Sequence, residues 1–119
     1  MIIGDYKTWD TKFVELDTAD TAFNFYLGKS GWKFVIKCIR AKADRDVSNV
    51  SDATVIIYEA DAVDETTVVK TLHQEAMVSG ESFTITPVNI EVTEGKFINA
   101  KTTDADIHMT IMGYYIPAL

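Results

Sequence analysis

The apolar residues of this chain recur mainly at every second position, and that period commits most of it to strands with one buried face. In "AFNFYL" (22–27) the side chains of Phe23, Phe25 and Leu27 share one face, while Asn24 and Tyr26 share the other. In "WKFVIKCIRAKA" (32–43) Trp32, Phe34, Ile36 and Cys38 alternate with Lys33, Val35, Lys37 and Ile39. Between these runs "GKSG" offers a compact turn with glycine at both ends, so the two are expected to pair as a long antiparallel hairpin.

Downstream, "DRDVSNVSD" reads as an exposed connection and "ATVIIYEA" as a β-branched, aromatic central strand. "DAVDETT" supplies an acidic loop. The segment "VVKTLHQEAMV" fits a helix at Val68, Leu72, Glu75 and Ala76, but Val68, Val69 and Thr71 resist helix formation, so a strand is expected. "FTIT" is a short strand that Pro87 interrupts, which suits an edge or corner. Alternation then returns three times, at Val88, Ile90 and Val92, over 97–102, and at Ile107, Met109 and Ile111, separated by "TEG" and "TDAD". Seven or eight short strands with no convincing helix predict an all-β fold, an antiparallel β-sandwich of jelly-roll or immunoglobulin-like type. At 119 residues one domain is expected over 1–119. Residues 1–12 lack clean alternation and read as an extended N-terminal arm, with Ile2, Ile3, Tyr6 and Trp9 as candidate assembly contacts.

Composition narrows the function classes. Apolar residues at 47% and charged residues at 24% are those of a folding chain rather than a disordered one. A net charge of −7 opposes approach to phosphate backbones and anionic lipid, so neither nucleic acid nor membrane is an expected partner. No run approaches the ~18 to 20 apolar residues of a membrane span, and "MIIGDYKTWD" shows no signal-peptide pattern, so synthesis in a cytoplasm is expected. The single cysteine, Cys38, can form no intrachain disulfide, and its apolar neighbours predict a buried thiol.

No chemistry assembles from the motifs. "GKS" (28–30) lacks the glycine five positions earlier that a phosphate loop requires, since Phe23 stands there, and a β-rich run follows it. Acidic residues cluster at Asp17 and Asp20, at Asp44, Asp46 and Asp52, and at Glu59, Asp61, Asp64 and Glu65, but none has EF-hand spacing, and solvated loops account for them. His73 and His108 stand 35 positions apart, outside any paired ligand motif, and His108 is expected to point outward from its strand. No nucleophile elbow is present. No catalytic residue, metal or cofactor is therefore expected, and the chain is read as a non-enzyme. A glycan-stacking platform of Tyr58, Tyr114 and Tyr115 is the alternative, as in a carbohydrate-binding or receptor-binding module. The sequon at Asn49 would matter only in a secretory pathway.

The C-terminal half, residues 68–116, has a recognisable order of parts: "AMVSGES", "FTITPVNIEV", "TEGKF", then "INAKTTDADIHMTIMGYYI". This layout resembles that of small β-sandwich structural proteins of tailed bacteriophage virions, whose final strand ends near a glycine, an aromatic or aliphatic residue and an acid. Here Met112, Gly113, Tyr114 and Tyr115 stand where that family often has a small residue, the glycine, the aromatic or aliphatic residue and the acid, so the acid's place is taken by a tyrosine. The resemblance implies a virion component: a capsid decoration or auxiliary protein, a head-fibre or collar piece, or a tail accessory subunit. It implies binding to other virion proteins, the major capsid or neck and tail proteins. An assembly part of this kind must bury its sheet edges against copies of itself or a neighbour, and a homo-oligomer, most simply a trimer, is expected.

Overall fold

The computed structural model describes residues 8–43, 52–77, 82–104 and 106–118. Among them the secondary structure is entirely β, with nine strands: β1 (Thr8–Leu16), β2 (Phe23–Asn24), β3 (Trp32–Ala43), β4 (Ala53–Ala60), β5 (Lys70–Met77), β6 (Ser82–Ile85), β7 (Ile90–Glu91), β8 (Phe97–Thr102) and β9 (Ile107–Pro117). Within the segment that mixed helix and strand signals, Lys70–Met77 is the strand β5, as expected, and Val68 and Val69 precede it in the loop.

The strands form two antiparallel sheets. One runs β1-β9-β3-β6, with β7 also on β3; the other runs β2-β8-β4-β5. The pairs nest by sequence separation, β1 with β9, β2 with β8 and β3 with β6, down to the consecutive β4 and β5. This is one long hairpin whose tip is the β4–β5 loop, rolled up so that its arms alternate between two sheets. The topology is that of a jelly roll, which decides between the two sandwich types the alternation allowed.

The rolled hairpin corrects the local one expected from sequence. β2 pairs with β8 and β3 with β9, so the runs on either side of "GKSG" lie in different sheets. The turn itself is present: the Trp32 N–H donates to the Lys29 carbonyl at 3.1 Å, with Gly31 at φ 80° in the third position, where only glycine sits without strain. The three alternating runs between 87 and 117 are divided between the sheets, because β7 and β9 belong to the five-stranded sheet and β8 to the other. Pro87 stands at a corner, between two short strands that both pair with β3.

Between the sheets lies a core that includes Leu16, Phe25, Leu27, Phe34, Ile36, Ile39, Val55, Ile57, Ile98, Met109 and Ile111. Along β3 the inward phase changes midway. The β3–β9 register slips between Ile36 and Cys38, so Phe34 and Ile36 face the core before the bulge, and Ile39 and Ala41 after it. Cys38 is thereby moved off the face that strict alternation assigns it. It is still buried, at 9% exposure, but outside the inter-sheet core. Opposite the bulge is Gly113, where a Cβ would lie 2.0 Å from the Val35 carbonyl oxygen and 2.9 Å from the Phe34 ring. Only a residue without a side chain lets β9 approach there.

Candidate functional site

The outer faces of the two sheets differ in kind. On the four-stranded sheet, Tyr58, Asn24 and Asn99 face away from the core, yet each is buried, because the loop 61–69 lies over them. The Asn99 amide donates to the carbonyls of Ala62 at 3.0 Å and Glu65 at 3.2 Å, and the Tyr58 hydroxyl donates to Glu65 at 2.7 Å. Asn24 donates to the Asn99 side-chain oxygen at 2.7 Å, and Lys101 donates to the Thr66 carbonyl at 2.8 Å while lying over the Tyr58 ring. These bonds satisfy polar groups that would otherwise be buried without partners. The chain thus covers this face itself.

Two titratable groups record that closure. Burial pushes the Tyr58 phenol above its ordinary pKa, opposed by the Asn99 bond and reinforced by the Glu65 carboxylate. The Thr67 backbone N–H, 3.0 Å from Glu65 Oε1, holds the Glu65 carboxyl below the usual range, with the Thr67 side chain adding to it. Asp61 is paired with Lys96. Glu59 points the other way, into the sandwich, where it accepts the Thr93 N–H at 2.9 Å.

Nothing among the described residues covers the five-stranded sheet in the same way. Strand register sets its outward side chains in rows. Trp9 lies opposite Tyr114, which lies opposite Val35; Thr11 opposite Met112, opposite Cys38. Next come Phe13, Thr110, Arg40 and Thr84, then Glu15, His108, Lys42 and Ser82. One end of the face is therefore apolar and the other polar, with Arg40 and Lys42 among hydroxyl groups, Glu15 at its edge 4.0 Å from His108, and Phe13 at the seam. Trp9 is 54% exposed, Phe13 55% and Met112 39%. Trp9 and Tyr114 meet edge to face at 5.1 Å, as do Phe13 and His108 at 5.6 Å. At the polar end a groove of about 300 Å³ is lined by Phe13, Arg40, Lys42, Ser82, Thr84 and His108, among others.

Of the candidate assembly contacts, Trp9 sits on this face, in an edge strand paired along its whole length with β9. That corrects the arm for residues 8–12. Ile2, Ile3 and Tyr6 lie outside the described residues, as do Asp44, Asp46 and Asn49. The glycan platform is also corrected. Tyr58 is fully buried, and Tyr115 is 7% exposed with its ring against Phe34, so only Tyr114 offers a face, and Trp9 meets that ring at 62° rather than extending it. His108 points outward as its alternation predicts, while His73, opposite the core residue Ile57, packs by Phe83 between the sheets. No group of three His, Cys, Asp or Glu side chains is close enough to share a metal among the described residues.

Sequence reading missed Asn24, Asn99, Phe13, Met112, Arg40 and Lys42. The two asparagines carried a usable signal: each interrupts an apolar run, "FNF" and "INA", where a buried amide needs partners. The class these features define is an antiparallel jelly roll with one face covered by its own loop and one that none of the described residues covers in that way. No protein-family model matches the chain, and no curated protein matches it.

Proposed function

We propose that this chain is a non-enzymatic assembly part of a bacteriophage virion, a capsid decoration or auxiliary protein of the head-fibre or collar kind, made in the host cytoplasm and incorporated into the particle. It docks on neighbouring virion subunits, its own copies included, through the outer face of β1, β9 and β3. The observation that carries this reading is the contrast between the two sheets: buried amides tie a loop over one, leaving Tyr26 and the loop's own Val63 and Val69 exposed, while on the other the strands themselves leave Trp9, Phe13 and Met112 open. Fully burying one large apolar side chain is worth about 1.5–3 kcal/mol, so completing the burial of each half-exposed ring contributes roughly half of that. Exposed tryptophan beside tyrosine is also the composition of interface hot spots. The jelly roll occurs in viral capsid and lectin domains alike, so it supports the reading only by analogy.

The experiment is solution mass by light scattering, followed by addition to particles that lack the protein. A closed homo-oligomer, a trimer in its simplest form, is expected. Trp9→Ala combined with Phe13→Ala should leave the fold intact and abolish both oligomerisation and incorporation. Unchanged incorporation by that variant would sink the proposal.

A further inference from the structure

The covered face does more than close a sheet: it presents a turn. At 62–65 the Glu65 N–H donates back to the Ala62 carbonyl at 3.3 Å, and both carbonyls of this turn are held from below by Asn99, with Tyr58 adding a second bond to Glu65. The two corner residues, Val63 and Asp64, are left outward. Val63 is 41% exposed, and Asp64 is exposed with no hydrogen bond or ion pair among the described residues. One apolar and one anionic side chain therefore stand on a turn fixed by buried hydrogen bonds. Little ordering entropy remains to be lost when such a knob is bound.

The groove on the opposite face has the complementary chemistry. Phe13 supplies an apolar wall, Arg40 and Lys42 supply two cations with no hydrogen bond or ion pair among the described residues, and Ser82 and Thr84 supply hydroxyl groups. Its volume of about 300 Å³ is some ten times a water molecule's share of liquid, enough to admit side chains. In a chain of net charge −7, two uncommitted cations side by side are a local inversion of sign. Polyanions meet the repulsion of the rest of the molecule, whereas a short acidic turn that brings its own apolar residue meets both halves of the groove.

We propose that the occupant of this groove is a second copy of the same chain, whose 62–65 turn places Asp64 against Arg40 and Lys42 and Val63 against Phe13. Turn and groove lie on the outer faces of different sheets, so the contact is head-to-tail. It closes into a ring if the rotation between copies returns to the start, and extends otherwise. This rests on the assembly reading and gives it a specific contact.

The test is a charge exchange on the full chain at fixed ionic strength, read by light scattering across a dilution series. Asp64→Lys alone, and Arg40→Glu with Lys42→Glu, should each weaken association at least tenfold while the far-UV spectrum and melting temperature stay those of the wild type. Mixed in equal amounts, the two variants should associate again, because each supplies the charge its partner now lacks. Charge variants that keep the wild-type association, or a mixture that stays monomeric, overturn the contact. If they do so while Trp9→Ala still dissociates the oligomer, the assembly face stands and only the head-to-tail contact fails. A wild-type chain that is monomeric at every concentration overturns the contact as well, and incorporation into particles then decides the assembly reading by itself.

Discussion

Replacing Asn99 with alanine removes the hub on which the covered face depends. Three hydrogen bonds go with it: the two that Nδ2 donates to Ala62 and Glu65, at 3.0 and 3.2 Å, and the one that Oδ1 accepts from Asn24 at 2.7 Å. The Glu65 carbonyl keeps its bond from Tyr58, Asn24 Oδ1 still accepts the Tyr26 N–H at 2.6 Å while its Nδ2 keeps only a long contact to the Ile98 carbonyl at 3.4 Å, and Ala62 loses its link to the sheet. At a net ~1 kcal/mol for each bond, the loss is about 3 kcal/mol before any cavity term. Unfolding entropy scales to about 0.25 kcal/mol per kelvin for a chain of 119 residues, so the melting temperature should fall by about 12 °C. Urea titration should show the midpoint moving with little change in slope. Asn99→Asp sharpens the test, since it keeps the acceptor for Asn24 but turns a carboxylate oxygen toward two carbonyls. It should destabilise at least as much at neutral pH. A shift below about 3 °C for both variants would refute the claim that Asn99 anchors the 61–69 loop. The same alanine should also weaken self-association although Asn99 is buried, because the 62–65 turn would no longer be held.

Gly113→Ala should cost about 3 kcal/mol or more, measured by urea unfolding, because the new Cβ would fall 2.0 Å from a backbone oxygen that cannot move aside as a flexible side chain could. On the alkaline side, Tyr58 has a folded pKa raised above its unfolded value of ~10, so the folded state holds the proton more tightly; its contribution is present below about pH 10 and is lost as pH rises through the folded value. Tyr58→Phe should therefore flatten the fall in stability above about pH 10, at the cost of one hydrogen bond worth roughly 1 kcal/mol at neutral pH. At the acid end the sign reverses: the Glu65 carboxyl is depressed, so its contribution is present above the ordinary carboxylate range and is lost as pH falls through the folded value, a slope that Glu65→Gln should reduce. Cys38, buried beneath the uncovered face, should react with a bulky thiol reagent at least tenfold more slowly than in the urea-unfolded chain.

What the sequence by itself determined about this protein was the class of its elements. Period two in "WKFVI", "ATVII" and "IHMTI" reports which side of a strand is buried, a local property that needs no partner to be named, and β3, β4 and β9 follow from it. The turns at Gly31 and Gly95 were legible for a similar reason, since both glycines sit at φ 80°, in the left-handed region that glycine adopts without strain. Partner choice was not legible, because alternation is identical whether a strand pairs with its neighbour in sequence or with one 75 residues away, as Asn24 does with Asn99. For that reason "AFNFYL" and "WKFVIKCIRAKA" read as a hairpin, and only the rolled arrangement placed them in different sheets. The bulge after Ile36 is tertiary in the same sense: it resets the phase of β3 so that Ile39 and Ala41, rather than Cys38, reach the core. The candidate site was decided there as well. Trp9, Phe13, Met112, Arg40 and Lys42 come from three strands, and no spacing along the chain reveals that antiparallel register lines them up on one outer face.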